Sequence, residues 1–303
     1  MQKTFAKMKR SWQLYVFLIL PLLLVIVFNY FPMYGAIIAF KRYTYLGGIW
    51  NSPWVGMKNF TRFFHSHYAA RIITNTVGLS LYNLAASFPF PIILALCLNY
   101  IGNRTYKNAV QMVTYAPYFI STVVMVGIIM QMLDPRVGIV NNVIKALGGE
   151  SVNFLAVPEY FKSIYVWSGV WQTCGYNSII YISALSGVPV ELHEAAQIDG
   201  ASKFQRMLHI DLPSILPTAT ILLIMSFGNI MSVGFEKVYL MQNDLNLRTS
   251  EVINTYIYSA GIVGGASNFS YATAIGLFQS AIGFVMLILV NSICKRLGET
   301  SLW

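Results

Sequence analysis

The sequence predicts an all-α, polytopic membrane protein with six transmembrane helices. Hydrophobic residues make up 56% of the 303 residues and charged residues only 10%, whereas soluble domains carry about 25% charged residues. Six stretches contain no charged residue and no histidine, and each exceeds the roughly 20 apolar residues that a spanning helix needs. The three long connections, residues 41–71, 134–162 and 236–268, are rich in Gly, Asn, Pro and aromatic residues, and the first three of these are typical of loops. The six predicted spans are residues 11–40, 72–101, 108–133, 163–190, 212–235 and 269–294.

The first predicted span follows a short basic tail, residues 1–10, that resembles the start of a signal peptide. The uncharged run that follows continues to Phe40, well beyond the about 7–15 residues of a signal-peptide core. We therefore predict a cytoplasmic tail over residues 1–10, a transmembrane domain over 11–294 and a cytoplasmic C-terminal tail over 295–303.

The predicted spans differ in how regular they look. Residues 108–133 and 269–294 give the clearest helix predictions. Several spans contain prolines, which membrane helices tolerate when neighbours satisfy the freed backbone groups. Among these prolines are Pro21, Pro32, Pro89, Pro91 and Pro117. Cys97, Cys174 and Cys294 also lie in apolar stretches, and we interpret them as small buried apolar residues.

The net charge of +9 is spread along the chain. It forms no block typical of nucleic-acid binding, so we expect basic loops beside membrane lipid headgroups and no nucleic-acid partner. With the N-terminus inside, the basic residues divide equally between the two sides. The inner connections are shorter, so their basic density is higher, as the positive-inside rule expects. This predicts a multi-pass protein of the cell membrane, but the basic residues by themselves do not decide its orientation. Both termini are in the cytoplasm if the connection between the fourth and fifth spans lies inside the cell.

The spans lack the groups that several transport classes need. Proton- or ion-coupled carriers usually place ionisable residues inside the membrane, and the six stretches contain none. The chain also has no G-x-x-x-x-G-K-[ST] phosphate loop and no nucleophile–base pair. An ion-coupled carrier and an enzyme are therefore disfavoured, and active transport would need energy from another subunit.

The connection between the fourth and fifth spans, residues 191–217, is the most informative stretch. Residues 191–198 are a short run of helix formers, and Gly200 can adopt a backbone conformation closed to other residues. A second helical run over residues 202–209 leads to Leu212-Pro213, where the fifth span begins. We predict a short helix, a turn and a second helix. A plain amphipathic connection is the alternative.

The same stretch resembles the coupling loop, or EAA loop, of permease subunits of binding-protein-dependent ABC importers. Its pattern is EAA at 194–196 and DGA at 199–201, followed by Ile210, Leu212-Pro213 and Pro217. Further short segments are similar to the carbohydrate and polysaccharide branch, which includes LplB-type and MalF-like subunits. They are residues 28–30, 54–56, 91–96, 115–121 and 250–253. The large inserted domain of maltose-type permeases is missing.

The resemblance implies a type I importer permease fold and a set of partners. These are a second permease forming a heterodimer, two ATPase subunits and an extracellular solute-binding protein. ATP and Mg would bind to the partner ATPase, so no cofactor is expected in this chain. Transport would proceed by alternating access, with carbohydrate as cargo. An importer for a non-sugar solute is the alternative within the class.

Two groups of residues are predicted to act in transport. The resemblance implies an ATPase-docking surface formed by Glu194, Ala195, Ala196, Asp199, Gly200 and Ala201. Aromatic rings, amides and hydroxyls usually hold sugars, so polar and aromatic residues of the spans are candidates for the substrate path. They are Tyr82, Asn83, Trp171, Gln172, Tyr176, Asn177, Asn229 and Gln279. Hydrogen bonding between helices is the alternative role for the amides.

Overall fold

The computed structural model describes residues 12–265, 268–296 and 300–303. Within this part of the chain the structure is helical, and its β-type pairing is limited to one isolated bridge between Lys41 and Trp54. The predicted all-α class is therefore confirmed. The predicted tail over residues 1–10 lies outside the described residues. Two compact units make up the chain, one of residues 1–65 with 257–277 and one of residues 66–256 with 278–303.

The first unit begins with helix α1, Trp12–Val25, which continues through irregular helical turns to Phe40. No side chain of α1 is buried within the chain. A helix that is apolar on all sides needs apolar surroundings on all sides, such as lipid or partner helices. Residues 12–40 match the first predicted span.

Lys41 organises the loop that follows. Its Nζ donates to the carbonyl oxygens of Ile49 and Trp50, at 2.9 and 2.8 Å. Asn59, on helix α2 (Lys58–Phe64), donates in turn to the carbonyl oxygen of Lys41 at 3.1 Å. These bonds satisfy backbone groups that no regular element pairs.

The second unit opens with α3, Ala69–Ser87, and α4, Pro89–Asn99. Phe88 joins them in a right-handed helical conformation, giving one helical run of 31 residues. Its amide still donates to the carbonyl oxygen of Leu84 at 3.0 Å, so Pro89 and Pro91 do not break the run. The second predicted span is thus confirmed as a helix.

The third predicted span is not one helix, and the prediction of a clear helix over residues 108–133 was wrong. Helix α5, Arg104–Tyr115, gives way to a tighter turn over Ala116–Phe119. Helix α6, Thr122–Leu133, then leaves at a bend of 101°.

The break has a local physical cause. Pro117 lacks an N–H group, which weakens the helix at this point, and Ile120 and Ser121 adopt extended conformations. The Oγ of Ser121 accepts from the amide of Val124 and starts α6. Gln172 donates to the carbonyl oxygen of Ile120 at 2.9 Å and thereby satisfies one freed acceptor.

Helix α7, Pro158–Leu185, is the central element of the second unit. It packs against α3, α4 and α5, and its buried side chains belong to two separate apolar clusters. At Gly175 the backbone of α5 comes so close that a Cβ would lie 2.1 Å from the carbonyl oxygen of Thr114. The predicted fourth span, residues 163–190, overlaps α7 but extends past its end at Leu185.

The remaining labelled helices are α8, Val190–Ile198, α9, Leu212–Gly228, α10, Phe235–Met241, and α11, Phe269–Arg296. Residues 269–277 of α11 belong to the first unit and residues 278–296 to the second. Shorter α-helical pieces are Phe31–Met33, Gly48–Asn51, Ile139–Ala146, Lys203–Arg206, Leu247–Ser250 and Ile253–Tyr258. Tyr34–Phe40 forms a tighter helix, and Ile26–Tyr30, Met207–Asp211 and Ser259–Val263 form wider turns.

Two ion pairs fix the segment that precedes Ile253 in the second unit. Arg71 of α3 pairs with Glu251, and Arg248 pairs with Glu159 in the first turn of α7. Asn75 donates to the carbonyl oxygen of Arg248 at 2.8 Å. The segment is therefore tied to both α3 and α7.

By length and composition, four helices among the described residues can cross a membrane, or five if the bent pair is one span. They are Trp12–Phe40, Ala69–Asn99, Lys203–Gly228 and Phe269–Arg296, with α5 and α6 as the bent pair. The predicted number of six is not reached on this measure. Helix α7 has 28 residues but carries Glu159, Lys162 and many polar side chains.

Candidate functional site

The turn after α8 has a defined C-terminal cap. Gly200 has φ of +79°, a left-handed conformation that favours glycine. The amide of Ala201 donates to the carbonyl oxygen of Ala196 at 2.8 Å, and the amide of Gly200 donates to that of Gln197 at 3.1 Å. This is the Schellman arrangement. The predicted short helix and glycine turn are therefore confirmed as structure.

A capping box restarts the helix immediately after this turn. The Oγ of Ser202 accepts from the amide of Gln205, and the Oε1 of Gln205 accepts from the amide of Ser202 at 2.8 Å. The helical run then continues through Met207–Asp211 into α9. This cap was not predicted, although Ser followed three residues later by Gln is its known signature.

The six predicted docking residues lie together at the end of α8. Glu194, Ala195, Asp199 and Gly200 are exposed, and Ala196 and Ala201 are half-buried. The same surface also carries exposed apolar side chains that the sequence analysis did not single out. They are Val190, Leu192, Ile198 and Phe204, of which Ile198 is 87% exposed. We call α8 with residues 199–204 the coupling surface.

A buried carboxylate connects the coupling surface to the rest of the second unit. Asp211 is fully buried, and its Oδ2 accepts from the hydroxyl of Tyr100 at 2.6 Å. Nε2 of His193, on α8, lies 3.1 Å from Oδ1 of Asp211. That distance suits an ion pair with a protonated ring, but the contact is not aligned as a hydrogen bond. No sequence motif indicated this cluster, because its members are far apart in the chain.

A cavity of about 410 Å³ lies within the second unit. Three predicted path residues line it: Asn83, Asn177 and Asn229. No charged side chain is among the residues that line it. Serine hydroxyls add to its polar wall, from Ser80, Ser87, Ser226 and Ser232. Asn229 donates to the carbonyl oxygen of Met225, whereas the amides of Asn83 and Asn177 have no hydrogen-bond partner among the described residues.

The other five predicted path residues do not line this cavity. Tyr82 accepts from the indole of Trp167 at 2.9 Å, and Trp171 is exposed. Gln172 satisfies the carbonyl oxygen of Ile120.

Two more of these five residues have other contacts: Tyr176 stacks on an aromatic ring, and Gln279 forms hydrogen bonds. The ring of Tyr176 stacks on Tyr118 with centroids 3.7 Å apart. Gln279 donates to the carbonyl oxygen of Met231 and to Asn254, which fixes the chain after α9. Gln172 and Gln279 thus bond to carbonyl oxygens in the connections between helices, those of Ile120 and Met231.

One cationic side chain lies next to the cavity. Lys237, on α10, is 8% exposed, and its Nζ donates to the carbonyl oxygen of Tyr165 at 2.8 Å. The same Nζ lies 4.7 Å from the centroid of the Tyr165 ring. Burial lowers the pKa of Lys237 to about 8. Lys237 belongs to the predicted outer connection after the fifth span, residues 236–268, and the structure shows that it is buried there, because α10 packs against α6.

Comparison with known proteins extends these observations. The family model for the binding-protein-dependent transport system inner membrane component matches residues 87–299. Protein LplB of Bacillus subtilis (strain 168) is 39% identical, over 98% of this chain and 93% of LplB.

Two further proteins are similar over nearly the whole length. The polygalacturonan/rhamnogalacturonan transport system permease protein YteP, from the same organism, is 38% identical over 98% of this chain and 92% of YteP. A crystal structure of a bacterial alginate ABC transporter in complex with an alginate pentasaccharide-bound periplasmic protein contains a chain that is 36% identical, with a TM-score of 0.89. The match covers 98% of this chain and 99% of that chain. The resemblance to importer permeases is thereby confirmed, and this chain belongs to the family of inner membrane components of binding-protein-dependent transport systems.

Proposed function

We propose that this chain is the permease subunit of an ATP-driven importer that carries an oligo- or polysaccharide across the cell membrane. The cavity in the second unit is the observation that carries this proposal. Amides and hydroxyls line it, and such groups both donate and accept hydrogen bonds, as sugar hydroxyls require. Similar proteins named for polygalacturonan and alginate transport support a carbohydrate cargo.

The energy for transport would come from partner subunits. The chain has no phosphate loop, whereas the coupling surface presents a capped helix with exposed apolar and acidic side chains. We assign this surface to docking on an ATPase, with ATP and Mg bound there. The full transporter would contain a second permease, two ATPases and an extracellular solute-binding protein. A crystallised relative in complex with a periplasmic protein supports the last of these.

The contacts of Asp211 support a mechanism of alternating access. His193 lies on α8, so a displacement of α8 moves its imidazole. Asp211, at the start of α9, contacts this imidazole and the hydroxyl of Tyr100 at the end of α4, so the displacement is passed on to both helices. Helices α4 and α9 both contribute to the cavity wall, through Pro91 and through Leu222, Met225 and Ser226. Movement of the coupling surface would therefore reshape the cavity, which is what alternating access requires.

Uptake by cells that carry the complete transporter tests the cargo path. We expect Asn83→Leu and Asn177→Leu each to reduce uptake of labelled oligosaccharide about two- to tenfold, since one hydrogen bond contributes about 0.5–1.5 kcal/mol. Asn142→Leu is the matched control, because Asn142 is an exposed amide outside the cavity. Uptake of a non-sugar solute alone, or equal effects of all three substitutions, would refute the proposed path.

A second experiment tests docking. Valine at a left-handed position costs about 1–3 kcal/mol of strain, so Gly200→Val should distort the coupling surface and abolish both uptake and co-purification of the ATPase. Gly148→Val introduces the same strain at φ of +85°, with open space around the Cβ, and should leave both intact. Equal behaviour of the two variants would show that strain alone, and not docking, explains the loss.

A further inference from the structure

Lys237 is a buried cation without a carboxylate partner. Within the described part of the chain, no Asp or Glu lies within ion-pair distance of its Nζ. An ammonium group has three donors, and here one is committed, to the carbonyl oxygen of Tyr165. Burying a charge without a counter-charge is costly. A chain that keeps such a residue either uses it to hold two elements together or supplies its partner from outside.

The position of Lys237 favours a partner from the cavity. Tyr165, whose carbonyl oxygen and ring both contact the ammonium group, lines the cavity, and so does Gly234 just before α10. The Nζ of Lys237 and the Oδ1 of Asn83 both lie within 4 Å of the point where a Cβ of Gly169 would stand. Asn83 is a cavity residue whose side chain has no hydrogen-bond partner among the described residues. Lys237 does not itself line the cavity. Its ammonium group lies beside Tyr165 and near the amide of Asn83, two residues that do line it, and the described lining residues include no charged side chain.

Resting on the proposed function, we infer that Lys237 and Asn83 form a carboxylate-binding subsite for an acidic sugar, so that the imported oligosaccharide contains uronate residues. A uronate carries its carboxylate on the sugar ring, and its hydroxyls can pair with the amides and serines of the same cavity. The carboxylate would accept from the two uncommitted donors of the ammonium group. Removal of solvent around the pair would strengthen this attraction, since charge interactions grow as the local dielectric constant falls. Polygalacturonan and alginate, for which two similar transporters are named, are polymers of uronates.

The test compares uptake of matched sugars in cells that carry the complete transporter. The probes are labelled oligogalacturonides and alginate oligosaccharides, each with its carboxyl-reduced counterpart, in which every carboxylate is replaced by a hydroxymethyl group. The variants are Lys237→Met, which removes the charge and keeps the apolar stem, and Lys237→Arg, which keeps the charge. Lys145→Met is the matched control, because Lys145 also donates to a backbone carbonyl but is exposed. Immunoblots of membranes report how much of each variant is present.

We expect Lys237→Met to reduce uptake of a uronate oligosaccharide about tenfold or more, equivalent to about 1.4 kcal/mol, and to leave the carboxyl-reduced sugar within about twofold of wild type. Lys237→Arg should retain most uronate uptake, and Lys145→Met should change neither sugar. If wild type does not take up the reduced sugar, the comparison rests on uptake of the uronate sugar alone. Lys237→Arg should then take up more of it than Lys237→Met. If Lys237→Met does not accumulate, Lys237→Gln takes its place and should weaken uptake of the uronate sugar selectively. Asn83→Leu, which alters the general sugar path as well, should then weaken uptake of the uronate sugar more than uptake of the reduced sugar.

Three results would overturn this inference while leaving carbohydrate import intact. They are equal loss of both sugars in Lys237→Met, normal uronate uptake in that variant, and wild-type uptake of neutral oligosaccharides only. Equal loss of both sugars would show that Lys237 merely holds α10 against α7. Failure of wild type to import any oligosaccharide would instead refute the proposed function itself.

Discussion

Lys237 and Asp211 are both buried and charged, but the chain provides their side chains with different partners. Asp211 has partners from two other elements, the hydroxyl of Tyr100 and the imidazole of His193. Lys237 has a carbonyl oxygen and an aromatic face, but no counter-charge in the described chain. Paired buried charges commonly belong to the architecture, whereas an unpaired one next to a cavity indicates a ligand site.

The charge on Lys237 predicts a pH dependence of stability. Its pKa falls from 10.5 to about 8 on folding because burial disfavours the charged form. Between these values the unfolded state binds more protons than the native state, so the free energy of unfolding rises as pH increases from about 8 to about 10.5. The titratable neighbours are Tyr165 on α7 and Glu236 on α10 itself, and α6 carries none.

Thermal unfolding of purified wild type and Lys237→Met in detergent, across this pH range, isolates the contribution of the lysine. We expect wild type to gain stability relative to the variant as pH rises through the window. A difference between the two proteins that stays constant from pH 7 to pH 11 would contradict this expectation.

Substitutions of Asp211 should lower the free energy of unfolding by amounts that depend on the new side chain. Asp211→Ala leaves the Tyr100 hydroxyl without its acceptor and should cost about 1–3 kcal/mol of unfolding free energy. Asp211→Asn keeps an acceptor oxygen and should cost less. Asp244 is exposed, so Asp244→Ala should change the value by less than about 0.5 kcal/mol. Denaturation in detergent measures the free energy of unfolding of all three variants. Equal costs for Asp211→Ala and Asp244→Ala would show that the cluster around Asp211 does not stabilise the fold.

At the scale of elements, the contact between α7 and α5 depends on the absence of a side chain at Gly175. An alanine there would place its Cβ 2.1 Å from the carbonyl oxygen of Thr114. Because backbone atoms cannot rotate away as side chains do, the two helices must separate. Their contact also positions Gln172 opposite the break between α5 and α6, so separation should loosen that break as well.

We therefore expect Gly175→Ala to destabilise the protein by about 1–3 kcal/mol, the usual cost of overpacking. Gly127→Ala on α6 is the matched control, since no atom lies within 4 Å of its added Cβ. Alanine is favoured over glycine inside a helix by about 0.5–1 kcal/mol, so the control should be neutral or stabilising. Thermal unfolding of both variants checks the prediction, and a neutral Gly175→Ala would mean that the helices are not in close contact.

At the scale of the whole molecule, the proposed orientation places the coupling surface inside the cell and residues 134–162 outside. Leu147 and Ile198 are 83% and 87% exposed and lie on these two connections. After replacement of the three native cysteines, Leu147→Cys in intact cells should react with a membrane-impermeant thiol reagent. Ile198→Cys should react only after the cells are permeabilised. Labelling of Ile198→Cys from outside would reverse the topology and exclude ATPase docking at α8.

Local features of the sequence predicted much of this protein. The apolar runs located the helices at residues 12–40, 69–99 and 269–296, because lipid requires apolar side chains along the whole length of a span. The turn at Gly200 was predictable, because left-handed backbone favours glycine whatever surrounds it. The break after Pro117 was not predicted, because membrane helices tolerate proline when neighbours satisfy the freed backbone groups. The structure shows the chain extended at Ile120 and Ser121, with Gln172 bonded to the carbonyl oxygen of Ile120.

The sequence by itself therefore determined the helical class, most of the apolar segments and the glycine turn of the coupling surface. Only the tertiary structure decided which polar groups meet. It joined Asp211 to Tyr100, gathered Asn83, Asn177 and Asn229 around one cavity, and brought Lys237 from a predicted outer loop against Tyr165. The physical reason is the distance along the chain over which each interaction acts. Burial and turn preferences act within a few residues. The bond between Tyr100 and Asp211, by contrast, joins residues 111 positions apart in the chain, so it depends on how the helices pack.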